Sequence, residues 1–235
     1  MSHTTRTQEI HVDGGKMNLY IAAPKNISGK LPAILVLQEA FGVDRHIQEV
    51  TKRFADEGFL AVAPELFHRT ARGFIGSYDD FTAIMPHYQA VTVDTLKADF
   101  KATYGWLTEN GADANQVVAI GFCMGGRAAF VANATLPLKA AISYYGGGIA
   151  PDLLPLAKEQ HGPFLMCWGG LDGHIPVEQS HQIAAALKTA KKSYLNIEFS
   201  DGDHGFFNDH KKQYNKKVAS EAWALSLQFL KNNLG

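Results

Sequence analysis

Cysteine is nearly absent: Cys123 and Cys167 are the only two in 235 residues. That excludes a disulfide framework, and the lack of a C-x-x-C pair excludes the usual thiol redox and zinc motifs. Net charge is small as well, with 22 Lys and Arg against 23 Asp and Glu. No global field therefore recruits nucleic acid or an anionic membrane. No apolar run approaches the roughly 18 residues of a membrane span, and the polar start Met1 to Thr7 leads into no signal-peptide core. These absences predict a cytoplasmic protein with no nucleic acid and no membrane as partner; no metal and no cofactor are expected, and the chain is expected as a monomer or small homo-oligomer.

What the chain does have is apolar sequence, 46% of its residues, enough for one sizeable α/β domain over residues 1–235 behind a flexible tail at 1–7. Ile10 to Val12 and Met17 to Ala22 flank the turn signal Asp13-Gly14-Gly15 and predict an antiparallel hairpin. Continuous apolar runs follow at Leu31 to Leu37, Phe59 to Ala63, Val117 to Ile120, Ala140 to Tyr145 and Pro163 to Trp168, as expected of strands buried on both faces. A last strand is expected at Tyr194 to Phe199. Helical spacing marks Val43 to Glu57, Val91 to Leu107, Val177 to Lys188 and Lys216 to Leu230. Residues 65–85 lose periodicity and predict an irregular excursion. Strands alternating with helices imply a mostly parallel sheet with helices on both faces and functional groups beyond the strand C-termini.

Gly121-Phe122-Cys123-Met124-Gly125-Gly126 follows one of those strands and precedes a good helix former, Arg127 to Ala134. It has the form of a nucleophile elbow, in which a tight strand-to-helix turn forces small neighbours around the nucleophile. A thiol there sits at a helix N-terminus, where the dipole favours thiolate. The plainer alternative is a Gly-rich turn around a buried structural cysteine. Both cysteines should be free, because strands separated by a third lie about 10 Å apart, beyond the ~7 Å a disulfide spans.

Two later strand ends supply partners: Asp172 in Gly169-Gly170-Leu171-Asp172, and His204 in Asp203-His204-Gly205-Phe206. Nucleophile, acid, histidine is the chain order of an α/β-hydrolase triad. A thiol of pKa ~8.5 needs a base near neutral pH, a role for His204, and a carboxylate on the other imidazole nitrogen fixes the tautomer. Asp203 competes with Asp172 as that acid, although neighbours along a loop usually point apart. His174 competes as base only by folding back on its own loop. Oxyanion donors are expected from the backbone N–H of Met124 and of Ala40 or a neighbour. Glu39, a carboxylate at a buried strand end, is costly unless paired or functional.

Together with Gln38-Glu39-Ala40-Phe41-Gly42-Val43 and Tyr144-Tyr145-Gly146, these motifs resemble the dienelactone hydrolase family over almost the whole chain. The resemblance implies an α/β-hydrolase fold and a Cys-His-Asp triad of Cys123, His204 and Asp172 that cleaves a small ester or lactone through an acyl-enzyme. It also implies that Glu39 contacts the resting thiol, and that Tyr88, Tyr145 and Phe206 are candidate pocket walls. The arginines with which dienelactone hydrolases hold a substrate carboxylate are not evident. Residues 73–96 contain no Arg or Lys, and His204 is followed by Gly205-Phe206-Phe207-Asn208. Arg69 and Arg72 substitute only if the excursion folds inward, so a less charged ester, lactone or thioester is expected. The alternative of a different class is a non-catalytic protein that senses a ligand or oxidant through Cys123.

Overall fold

Strands with no polar side must be covered on both faces, and the runs Leu60–Pro64 and Ala140–Tyr144 are buried at every position. The computed structural model describes residues 2–13, 15–25 and 28–235. Its eight strands are β1 (His3–Val12), β2 (Gly15–Pro24), β3 (Leu31–Leu37), β4 (Leu60–Pro64), β5 (Ala112–Phe122), β6 (Ala140–Tyr144), β7 (Phe164–Gly169) and β8 (Tyr194–Phe199). They form a mostly parallel sheet in the order β1-β2-β4-β3-β5-β6-β7-β8. The helices are α1 (Arg45–Asp56), α2 (Met85–Ala90), α3 (Val93–Glu109), α4 (Met124–Thr135), α5 (Val177–Thr189) and α6 (Lys216–Leu234), with a 3-10 turn at Leu154–Glu159. Among the described residues no helix is long and apolar enough to cross a membrane.

Packing divides the chain into two compact units, Met1–Val118 and Ala119–Gly235. In the first, β1 pairs antiparallel with β2 and β2 antiparallel with β4, whereas β3 and β4 run parallel. The expected tail at 1–7 is instead strand from His3 onward, paired along its length with β2. Its mostly exposed, polar side chains hid that pairing from a hydrophobic reading. The turn residue Gly14 lies outside the described residues. Asp44 caps α1, its side chain accepting from Ile47 N–H at 3.1 Å, and Ile47, Val50 and Phe54 are buried from the same helix. Such a cap satisfies a donor that has no partner within the helix.

The excursion at 65–84 is a series of turns that leads into α2. Arg69 pairs with the buried Asp99 of α3 at 2.9 Å and donates to the Asp13 carbonyl at 2.8 Å. His68 meets the same carboxylate at 3.1 Å. Arg72 pairs with Glu9 of β1. Both arginines are thus spent on the first unit's own framework.

In the second unit β6, β7 and β8 run parallel. Phe130 of α4 packs edge-on against Phe164 of β7 at 5.2 Å, while Tyr144 of β6 and Ser226 of α6 share a hydrogen bond at 2.8 Å. Cys123 and Cys167 are both free thiols, and burial pushes the Cys167 thiol far up.

Candidate active site

β5 hands the chain to α4 across a single residue, Cys123, with φ 53° and ψ −116°. This is the left-handed region, which a side chain adopts only when its surroundings hold it there. Those surroundings are glycine. A Cβ on Gly121 would overlap the Gly125 carbonyl, and one on Gly126 would lie 2.7 Å from the Gly146 Cα. The strained turn is fixed by bonds on both sides: Cys123 N–H donates to the Tyr144 carbonyl at 3.0 Å, and the Cys123 carbonyl accepts from Gly126 at 2.9 Å. The thiol is half-buried. Met124 opens α4, so its N–H belongs to the first turn, where helix donors have no acceptor within the helix.

The ends of β7 and β8 deliver the other two groups. After β7, Asp172 forms a turn in which its Oδ1 accepts from the N–H of His174 at 2.8 Å and of Ile175 at 3.3 Å. With one oxygen fixed, the other meets His204 Nδ1 at 2.8 Å. The Cys123 side chain also acts on the His204 ring and raises its pKa, so the imidazole stands between thiol and carboxylate. Asp203 is turned elsewhere, its Oδ1 accepting from the backbone N–H of His204 at 2.6 Å. His174 stands with its ring 5.3 Å from the His204 ring.

Electrostatics follow from this geometry. Burial works against an imidazolium at His204, but the hydrogen bonds to Asp172 and Cys123 and their charges outweigh it, and the pKa is pushed up to about 10. Burial likewise opposes ionisation of Asp172, yet the His204 bond and charge and the His174 N–H hold its carboxyl below the usual range. An imidazole that prefers the proton this strongly can take one from a thiol.

Tyr145 lies beside His204, ring centroids 5.2 Å apart, with φ at 39°. Phe206 is wholly buried, packed on Tyr145 at 5.2 Å and on Phe199 at 5.6 Å, so it braces Tyr145 from the core. In the first unit, Glu39 and Ala40 are buried just past β3. Tyr88 packs on the cluster of Ala40, Phe41 and Ile84 together with Phe74 and Tyr78.

Sequence reasoning passed over Asp44 and Tyr78, whose side chains meet at 2.6 Å. Burial raises the Asp44 carboxyl, as does the charge of Glu39, while the bonds from Tyr78 and Ile47 pull it back. An Asp just before the first periodic position of α1 is a helix-start signal that marks Asp44. Nothing local marks Tyr78.

The profile of the Dienelactone hydrolase family matches residues 17–234. An Escherichia coli O157:H7 protein provisionally named carboxymethylenebutenolidase is 34% identical over 227 residues, covering 93% of this chain and 83% of that one. A Salmonella typhimurium protein of the same provisional name is 33% identical over 225 residues, covering 92% and 83%. The crystal structure of a provisionally assigned dienelactone hydrolase from Klebsiella pneumoniae subsp. pneumoniae MGH 78578 superposes with a TM-score of 0.91 at 30% identity, over 98% of this chain and 99% of that one. A dienelactone hydrolase-like promiscuous phosphotriesterase from metagenomic libraries shares the fold, with a TM-score of 0.88 at 21% identity over the whole of both chains. The architecture is that of the α/β-hydrolases.

Proposed function

The chain belongs to the dienelactone hydrolase family, and from that premise we propose that it hydrolyses a small ester or lactone through a thioester formed on Cys123. The observation that carries the reading is the His204 imidazole, hydrogen-bonded to Asp172 with its pKa raised by both Asp172 and the Cys123 thiol. In the first half-reaction His204 takes the thiol proton, sulfur bonds to the carbonyl carbon, and the carbonyl electron pair moves to oxygen. Collapse of that adduct expels the alkoxide, which receives the proton from His204. Water then attacks the thioester, His204 takes a proton from it, and collapse releases the acid and restores the thiol. Asp172 keeps the imidazole in the productive tautomer and stabilises the imidazolium.

We assign the oxyanion to the backbone N–H groups of Met124 and Ala40, and to Glu39 the resting contact with the thiol that its family counterpart makes. We propose residues 1–235 as one functional domain, the family profile running from 17 to 234. Tyr88 and Tyr145 are the proposed pocket aromatics, with Phe206 behind Tyr145. The engagement of Arg69 with Asp99 and of Arg72 with Glu9 favours a substrate without a carboxylate. The protein is placed in the cytoplasm on the same proposal.

The test is intact-mass spectrometry of wild type and Cys123→Ala after brief exposure to aryl esters, neutral lactones and carboxylated lactones, with product followed in parallel. Turnover dependent on Cys123, accompanied by an acyl adduct and favouring uncharged substrates, is expected. Equal turnover in Cys123→Ala would overturn the mechanism, and a reactive thiol without any turnover would turn the reading toward a sensor.

A further inference from the structure

We propose that segment 65–78 acts as a bracket that fixes the backbone of Glu39, Ala40 and Phe41, with Tyr78 and Asp44 as positioning residues for the Ala40 N–H. The inference rests on the hydrolase reading above, in which that N–H stabilises the oxyanion.

The turn after β3 is held from both ends by this one segment. At its start, the Gln38 side chain accepts from Leu66 N–H at 3.0 Å and donates to the Glu39 carbonyl at 3.3 Å. At its end, the Phe41 carbonyl accepts from Gly76 N–H at 3.0 Å, and the Phe41 ring stands edge-on to Tyr78 at 4.6 Å. Gly42, at φ 85°, lets the Phe74 carbonyl sit where a Cβ would be. The Tyr78 hydroxyl then donates to Asp44 Oδ2 at 2.6 Å, while Asp44 Oδ1 caps α1. One carboxylate thus locks the segment to the start of a helix. Glu39 and Ala40 lie between these ties, each about 1% exposed.

The consequence concerns the transition state. A preorganised donor is effective only if it does not reorient as charge develops, and small displacements of such groups are costly. The Tyr78 hydroxyl has no binding role in this reading. Losing it should leave substrate affinity unchanged and weaken stabilisation of the tetrahedral adduct.

The test uses the full chain with Tyr78→Phe, which keeps the ring on Phe41, and Asp44→Asn, which keeps a helix cap. The readouts are kcat and KM on an aryl acetate, inhibition by an aryl trifluoromethyl ketone, and the rate of Cys123 alkylation by iodoacetamide. With the ketone, sulfur adds to the carbonyl carbon and the electron pair moves to oxygen, which creates the oxyanion without turnover. In both variants kcat should fall on the order of tenfold with KM nearly unchanged. Ketone affinity should fall by the same factor, and alkylation should keep its wild-type rate. Wild-type kcat and ketone affinity in Tyr78→Phe would overturn the bracket, as would a kcat loss matched by slower alkylation. If Tyr78→Phe does not fold, Asp44→Asn alone decides between the same outcomes. Wild-type turnover that survives Cys123→Ala marks failure of the hydrolase reading itself, and the bracket falls with it.

Discussion

Asp172→Asn exchanges one oxygen for an amide, and the structure dictates which one. Oδ1 accepts from two backbone donors, His174 and Ile175 N–H, so the new carbonyl oxygen must stay there and the NH2 must face His204. The imidazole nitrogen at that side then becomes an acceptor, and its proton moves to the nitrogen that serves Cys123. The base has lost its lone pair. Losing a charge-assisted hydrogen bond costs about 1.5–3 kcal/mol. Recovering the useful tautomer means flipping the amide and breaking two neutral bonds, about 1–3 kcal/mol more. Together these predict a fall in kcat/KM of roughly 10² to 10⁴. Asp203→Asn can keep its bond to the His204 N–H and should remain within roughly threefold of wild type. Initial rates on an aryl acetate measure both, and imidazole NMR should show the His204 pKa falling from about 10 in Asp172→Asn. Near-wild-type turnover in Asp172→Asn, with the loss appearing in Asp203→Asn instead, would refute the assignment.

Gly121→Ala places a methyl group on the Gly125 carbonyl and should cost more than about 4 kcal/mol in denaturant unfolding, or prevent folding. Asp99→Ala leaves Arg69 and the buried His68 without their carboxylate, and a loss of about 3–5 kcal/mol is expected from the same measurement. The raised pKa of His204 contributes stability that is whole below its ordinary 6.5 and lost as pH rises through about 10. Melting temperature should therefore decline across that window in wild type, and more shallowly in His204→Gln. The depressed Asp172 carboxyl acts at the other end: its contribution is present above the ordinary carboxylate range and lost as pH falls through the lowered value.

Much of this was legible in the order of residues. An elbow is a local device: Gly121, Cys123 and Gly126 are adjacent, and the crowding that demands glycine arises within one turn and against the next strand. Runs such as Leu31–Leu37 are apolar throughout because strands with both faces covered leave no polar side. The hairpin at Ile10 to Val12 was legible, but the first part of strand β1, from His3, was not. β1 is an edge strand paired through its backbone, and backbone pairing leaves little mark on exposed Thr and Arg side chains. The aperiodic segment at 65–85 reads only as an excursion, because its partners in Gln38, Phe41 and Asp44 lie about 30 residues away.

By itself, then, the sequence determined the strand and helix periods, the strained turn at Cys123 and the chain order of thiol, carboxylate and imidazole, because each depends on residues a few positions apart. The sequence favoured Asp172 over Asp203, and the fold brings Asp172 to the imidazole; the tertiary structure alone decided where Arg69 and Arg72 are bound, and what grips the turn at Glu39 and Ala40. Those outcomes depend on where separate strand ends and loops come to rest against one another. The fold aims the Asp172 carboxylate at the ring and that of Asp203 at a backbone N–H, as the tendency of loop neighbours to point apart suggests.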